Sequence, residues 1–352
     1  MTWDPAAFRH SLQTVLDEYV DEQGARLAAL GADAERLVAA ARAAVTGGKR
    51  FRASFCYWGF RAHAEPTDEA ALVKAAASLE LLHASALVHD DLMDASDTRR
   101  GHPSTHKEFE TIHRSHGWTG DPEQYGASAA VLLGDLLLSW ADEALRTCGL
   151  GHEPVLDALG YFDTTRSEVI AGQFLDVSLQ ARGQADVEQA MRVLRYKSAK
   201  YSIERPLHVG AALAGAPAPL FQALSDFGLP LGEAFQLRDD LLGVYGDPEV
   251  TGKPAGDDLS EGKRTVLVAL TLEAASPTDA NALEEALGRS LDEAEVARLR
   301  LLIDRSGAHA EVERRIQALT AESMAALAAA PVTEAARGVL AGLARAATQR
   351  VV

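Results

Sequence analysis

Cysteine is nearly absent from this chain: Cys56 and Cys148 are the only two in 352 residues. That is too few for a disulfide framework or a thiolate metal site. Aromatic residues make up 6% of the sequence, a poor supply for a pocket that lines a cation with rings. Basic residues are outnumbered, 34 Lys and Arg against 51 Asp and Glu, for a net charge of -17. Phosphate backbones require a basic surface, so no nucleic-acid partner is expected. The start, Met1-Thr2-Trp3-Asp4-Pro5, has neither the basic stretch nor the apolar run of a signal peptide. The most apolar stretch in this reading, Ala127 to Trp140, is broken by Asp135 and too short to span a bilayer. No transmembrane segment and a cytoplasmic location are expected.

Helical periodicity dominates instead, with no convincing alternating strand run. Asp4-Pro5 supplies an N-cap and a first-turn proline for a helix to about Leu30. Thr67-Asp68-Glu69 opens another that runs to Asp94. Further helices are expected near 33–46, 49–64, 126–148, 154–181, 185–199, 201–214, 217–245 and 262–275. Three or four more should follow from about 280. Loops are expected at Arg100–His106, Gly117–Tyr125 and Gly246–Gly262, none of them long enough to be a linker. The chain reads as a single all-α domain over residues 1–352.

The polar residues concentrate in two acidic clusters, each closing an apolar helix. His89-Asp90-Asp91-Leu92-Met93-Asp94 is the first, and Arg238-Asp239-Asp240-Leu241-Leu242 the second. Asp90 and Asp94 are four apart and share one helix face, with Asp91 beside them. Charges placed after long apolar runs are costly unless compensated. Hard carboxylate oxygens select Mg²⁺, which at such sites is commonly shared with substrate phosphates. Two acidic helix ends facing one another would thus hold a diphosphate through cations. Basic residues accompany them. Gly47-Gly48 precedes Lys49 and Arg52, read as one face at a helix start suited to an anion. His83 lies two turns before Asp90, and Arg99-Arg100 offer bidentate phosphate recognition.

In chain order the motifs are GGKRFR at 47–52, HASALVHDDLMD at 83–94, RRG at 99–101 and GD at 134–135. They continue with GQFLD at 172–176, YKSAKYS at 196–202, FQLRDD at 235–240 and GKPAGDDLSEGKRT at 252–265. This series resembles the trans-isoprenyl diphosphate synthases, the polyprenyl synthetase family, and it covers nearly the whole chain. The resemblance implies an isoprenoid-synthase helical bundle around a central cavity, a homodimer and three Mg²⁺ ions per active site. It implies Asp90 and Asp94 as ligands of two Mg²⁺ and Asp239 of the third, with Asp91 and Asp240 in support. Lys49, Arg52, His83 and Arg100 would bind the diphosphate of isopentenyl diphosphate. Arg99, Lys197, Ser198, Gln236, Lys253 and Lys263 would hold a dimethylallyl, geranyl or farnesyl diphosphate. Two departures stand out: Ser198 occupies a position where many members have Thr, and Gly243 replaces the usual last acid of the second motif.

The chemistry expected is ionisation, condensation and elimination. Cations and lysines stabilise departing pyrophosphate, the alkene of isopentenyl diphosphate attacks the allylic cation, and pyrophosphate takes the proton. The Gly246–Gly262 loop would exclude water as a lid. Product length should be set along the helix before Asp90, where one turn rises about 5.4 Å. Ser85 and Ala86 are small, and the first bulky side chains deeper down are Leu82 and Leu79, with Trp140 as added floor. A C20 product is expected, with C15 or C25 and longer as alternatives. A class I terpene cyclase would need an Asn-containing second motif, but the sole asparagine, Asn281, begins none. A non-catalytic partner subunit would have lost motif residues that this chain keeps.

Overall fold

The computed structural model describes residues 3–183, 186–247 and 256–349. They form an all-α bundle. Helices α1 (Pro5–Leu27), α2 (Ala32–Ala44), α3 (Phe51–Arg61) and α4 (Glu69–Met93) come first. They are followed by α5 (Thr105–His116), α6 (Pro122–Arg146), α7 (His152–Arg182) and α8 (Val187–Val193). A π-helical stretch, Leu194–Glu204, then leads without a break into α9 (Arg205–Leu213), and α10 spans Ala218–Tyr245. A short turn of helix, Asp257–Ser260, and the helix Val266–Ala274 come next. The tail holds Pro277–Ala286, Glu293–Ser306, Ala308–Ala329 and Glu334–Thr348.

Capping follows the sequence. The Asp4 side chain accepts from the Ala6 and Ala7 amides at 2.9 and 3.1 Å, and Asp68 accepts from Ala71 at 2.9 Å. Each satisfies first-turn donors that have no partner inside the helix. Three expectations need correction. Helix α6 begins inside the loop expected at Gly117–Tyr125, because Asp121 caps the Glu123 amide at 2.9 Å and Pro122 takes the first helical position. The loop expected at Arg100–His106 is instead the turn and second strand of a hairpin, Thr98–Arg99 against His102–Pro103, followed by the start of α5 at Thr105. Arg100 (φ 53°) and Gly101 (φ 79°) turn it in the left-handed conformation that such hairpins require. The helices expected at 185–199 and 201–214 are one continuous rod. Pro206 lacks an N–H, and the widened stretch before it absorbs that missing bond: the Arg205 amide donates five residues back, to Lys200.

The apolar side chains gather in two clusters that meet on α10. Leu220, Leu224, Phe227, Leu231 and Phe235 join the larger one with α1, α3, α4, α6 and α9. Ala234, Leu237, Leu241 and Val244 join the smaller one with the helices after residue 256. The helix most like a membrane span is α4, not Ala127–Trp140: it is long and apolar enough, but 78% of the qualifying window is buried inside the fold. Helix α4 packs on α6, and α10 and α7 both pack on the π-helical stretch. The ends of these rods bring the two acidic motifs together.

Candidate active site

Asp90, in the last turn of α4, accepts from Gln173 Nε2 on α7 at 2.8 Å and lies 3.3 Å from Lys197 Nζ. Lys197 in turn donates to Asp176 Oδ2 at 2.6 Å. Gln173 and Asp176, three apart on α7, thus address the same ammonium and carboxylate from one face. The crossing that makes this possible is tight. A Cβ on Gly172 would stand 2.4 Å from the Lys197 amide nitrogen, so only glycine lets α7 approach the π-helical stretch this closely. Gly172→Ala should therefore destabilise the protein by about 1–3 kcal/mol, the usual cost of overpacking. Chemical denaturation would read it, and an unchanged midpoint would refute the close contact.

On the other side of α4's end, Lys263 Nζ is 3.3 Å from Asp94 and 3.4 Å from Asp258, and it pairs also with Glu261. Ser96 Oγ donates to Glu261 at 2.8 Å, tying the segment after the second motif to the end of α4. From α10, Asp239 is half-buried, and the buried Asp240 accepts from Gln236 Nε2 at 2.9 Å. Lys263 thus links the first motif to the surroundings of the second.

Among the described residues, electrostatics mark this space as short of positive charge. Burial pushes Asp94 up, the neighbouring Asp90 adds to it, and its pKa reaches about 6. Burial, with Asp258 next, raises Asp240 to about 8. Burial also opposes the Asp90 charge, but Lys197, Lys263 and Arg99 together hold its pKa below the usual carboxylate range. Both lysines are raised: burial works against their charge, but Asp90 and Asp176 outweigh it at Lys197, and Asp258, Asp94 and Glu261 at Lys263. Among the described residues no three acid, His or Cys side chains already converge at metal-ligating distance; the two ammoniums stand among the carboxylates. The donors are carboxylates with no thiolate among them, a set that fits a hard, oxygen-seeking cation such as Mg²⁺.

A second, basic patch lies up α4. His83 Nδ1 is 3.0 Å from the Tyr201 hydroxyl. Arg52 donates to Ser202 Oγ at 2.8 Å and stacks over the Tyr201 ring at 4.2 Å. Arg100 donates to the Thr46 carbonyl at 2.8 Å beside Gly47 and Gly48. Burial first, then the charges of Arg52, Arg100, Arg99 and Arg50, drive the His83 pKa well below its ordinary value. His83 is therefore a neutral hydrogen-bonding group. Lys49 precedes α3, which starts at Phe51 with Arg50 as a left-handed cap (φ 58°). Lys49 and Arg52 thus do not share a helix face; Lys49 sits exposed in the loop that Arg100 covers.

Other expected residues fall as follows. The buried Asp91 faces Arg99, accepting from its Nε at 2.8 Å and from Nη2. Ser198 is half-buried next to Lys197. Ser85, Leu82 and Leu79 are buried along α4 and Ala86 is half-buried; Trp140 is core, edge-on to Tyr19. Lys253 and residues 248–255 of the Gly246–Gly262 loop lie outside the described residues, and the described end of that loop carries the helical turn Asp257–Ser260. Gln173, Asp176, Tyr201 and Asp258 join the site without having been singled out, although all four sit inside quoted motifs. Two surface clefts, of about 340 Å³ beside Gly24 and about 480 Å³ beside Glu322, contain none of the motif acids.

An all-helical cage that opposes two acidic motifs beside a basic patch defines a class. The chain belongs to the polyprenyl synthetase family, whose model matches residues 34–303; its members are Mg²⁺-dependent prenyltransferases that make trans-prenyl diphosphates. Among solved structures it is similar to geranylgeranyl pyrophosphate synthase from Corynebacterium glutamicum, complexed with isoprenyl diphosphate and magnesium. That match has 41% identity and TM-score 0.96, and covers 99% of this chain and 100% of that one. It is 31% identical to the geranylfarnesyl diphosphate synthase of Aeropyrum pernix, over 82% of this chain and 86% of the relative. It is 36% identical to a (2E,6E)-farnesyl diphosphate synthase of Mycobacterium tuberculosis, over 60% of this chain and 54% of the relative.

Proposed function

We propose that this prenyltransferase condenses isopentenyl diphosphate head-to-tail with an allylic diphosphate and releases a C20 all-trans prenyl diphosphate. The first acidic motif held by Lys197 and Lys263, with Lys263 reaching Asp258 beside the second motif and a separate basic patch around His83, carries this reading. Asp90, Asp94 and Asp239 would hold Mg²⁺, three ions in all. When bound, Mg²⁺ offsets charge on the diphosphate oxygens so that pyrophosphate can leave. Lys197 and Lys263, each now paired with carboxylates, would exchange a carboxylate partner for a phosphate one when the diphosphate binds. Asp91 positions Arg99 toward the allylic diphosphate. Arg52, Arg100 and Lys49, with neutral His83, would clamp the second diphosphate, leaving its alkene to attack the allylic cation. The proton then goes to released pyrophosphate, so no protein base is required.

Relatives named for C15, C20 and C25 products leave length to this chain's own residues. The small Ser85 and Ala86, five and four residues before Asp90, would let the growing chain pass, and the buried Leu82 and Leu79 would stop it. Ser85→Phe should shift the product from C20 to C15 or shorter by chromatography; an unchanged spectrum refutes the ruler. We further assign the whole chain to one domain, since α10 serves both apolar clusters, and a cytoplasmic location. A homodimer is proposed on the α6 and α7 face, where Leu132 is 61% and Phe174 71% exposed. Incubation with isopentenyl diphosphate and each of three allylic starters, with Mg²⁺ or with excess chelator, tests the reaction. Turnover surviving chelation would overturn it.

A further inference from the structure

Helix α7 grips the π-helical stretch a second time, about two turns before Asp176. The Glu168 carboxylate accepts from Arg205 Nε and Nη2 at 2.7 and 2.8 Å and from Lys200 Nζ at 3.2 Å. Glu168, Gly172 and Asp176 recur every four residues and so lie along one face of α7. At one end that face pairs with Lys200 and Arg205; at Gly172 it meets the Lys197 backbone; at the other end it pairs with the Lys197 ammonium. We propose that Glu168 is a positioning residue for both substrates. Its grip on Lys200 and Arg205 holds the π-helical register that presents Lys197 to Asp90, and Tyr201 and Ser202 to His83 and Arg52.

The register needs holding because a widened turn has a tighter competitor. Amides that bond five residues back can relax to four, and each such step turns the side chains before it by about 100° against those after it. Lys197 would then leave the gap between Asp90 and Asp176, or Tyr201 and Ser202 would leave the basic patch. Helix α10 fixes where the backbone lies. A Cβ on Gly232 would stand 2.4 Å from the Ala199 carbonyl oxygen, and one on Gly228 3.1 Å from the Glu204 Cα. Those are backbone contacts, and side-chain anchors set the rotation. The Glu168 anchor is well placed for this: its side chain and those of Lys200 and Arg205 are between 13% and 18% exposed, and a carboxylate facing a guanidinium fork is directional. Burial opposes the Glu168 charge, but Arg205 and Lys200 hold its pKa below the usual carboxylate range. The grip is therefore ionic at neutral pH.

This inference rests on the two substrate sites proposed above, and its test separates the two. Steady-state kinetics with Mg²⁺ are measured while isopentenyl diphosphate and geranyl diphosphate are varied in turn. Lys197→Ala should raise the KM for geranyl diphosphate, and Arg52→Ala that for isopentenyl diphosphate. If either leaves its KM unchanged, the underlying reading falls and this inference with it. With both sites established, Glu168→Ala should raise both KM values together by about tenfold or more, within the hundredfold that a misplacement of about 1 Å can cost. Glu168→Gln, which keeps the size and one acceptor, should raise both by less, and it carries the same test if the alanine variant does not fold. Adding Arg205→Met to Glu168→Ala leaves no guanidinium stranded. Its Tm should return toward wild type while both KM values stay raised. A glutamate that only stabilises the fold predicts KM values that recover with Tm. That outcome, or a rise in one KM alone, overturns the proposal.

Discussion

Asp90→Asn should lower kcat by about three orders of magnitude while leaving the fold intact. The substitution keeps the side chain's size but removes a charge among Lys197, Lys263 and Arg99. A bound cation contributes several kcal/mol of transition-state stabilisation at a departing phosphate. Each 1.36 kcal/mol is about tenfold in rate, so about 4 kcal/mol gives that figure. Lys197 retains Asp176 at 2.6 Å, so its ammonium is not abandoned and thermal stability should change little. The neighbour provides the contrast. Asp91→Asn acts through Arg99, its bidentate partner; it loosens the guanidinium and forfeits a charge-assisted bond of about 1.5–3 kcal/mol. Its cost should fall on the KM for the allylic substrate more than on the Mg²⁺ requirement. Equal Mg²⁺ titrations for the two variants, or an Asp90→Asn enzyme within tenfold of wild type, would remove the distinct roles argued for adjacent acids.

Much of this site could be read in sequence because its parts are local. Asp90 and Asp94 are one turn apart, and a helix of known period puts them on one face whatever surrounds it. The same holds for Gln236 and Asp240. Helix α5 shows where that reading fails. Its inward stripe is His106, Phe109 and His113, all buried, so the periodicity is present but two of its three members are polar types. A scan for apolar residues passes over them. The π-helical stretch hides for another reason. A wider turn follows no period that hydrophobic patterning tests, and its cause, Pro206, lies beyond its end. Gly243 is the extreme case: in sequence it is only a departure from the motif, and only the fold shows that the Asp258 carboxylate fills the volume where a side chain at 243 would begin.

The largest effect on stability should come from a pair that takes no part in the chemistry. Arg50 Nη1 meets Glu80 at 2.9 Å with both side chains about 95% enclosed. The other carboxylate oxygen of Glu80 accepts from the Ala53 amide at 3.2 Å, while Arg50 also donates to Gln13 at 2.6 Å and to the Val45 carbonyl. One glutamate inside the apolar α4 thereby fixes the turn between Lys49 and Arg52. Glu80→Ala leaves the guanidinium buried without its counter-charge, and breaking such a pair from one side costs about 3–5 kcal/mol. Denaturant unfolding should show a loss of that size, against the 5–15 kcal/mol on which a folded domain typically rests. Replacing both partners, Arg50→Met with Glu80→Leu, should recover much of it, because neither charge is then stranded. The doubly apolar variant should nevertheless bind isopentenyl diphosphate poorly. Without the Arg50 fork the left-handed cap at the start of α3 loses its anchors, and Lys49 and Arg52 no longer keep a fixed separation. Recovered stability together with a raised KM for isopentenyl diphosphate would show that the pair sets geometry. A double variant with wild-type KM would show that the turn holds its shape unaided and that the buried charges are dispensable to binding.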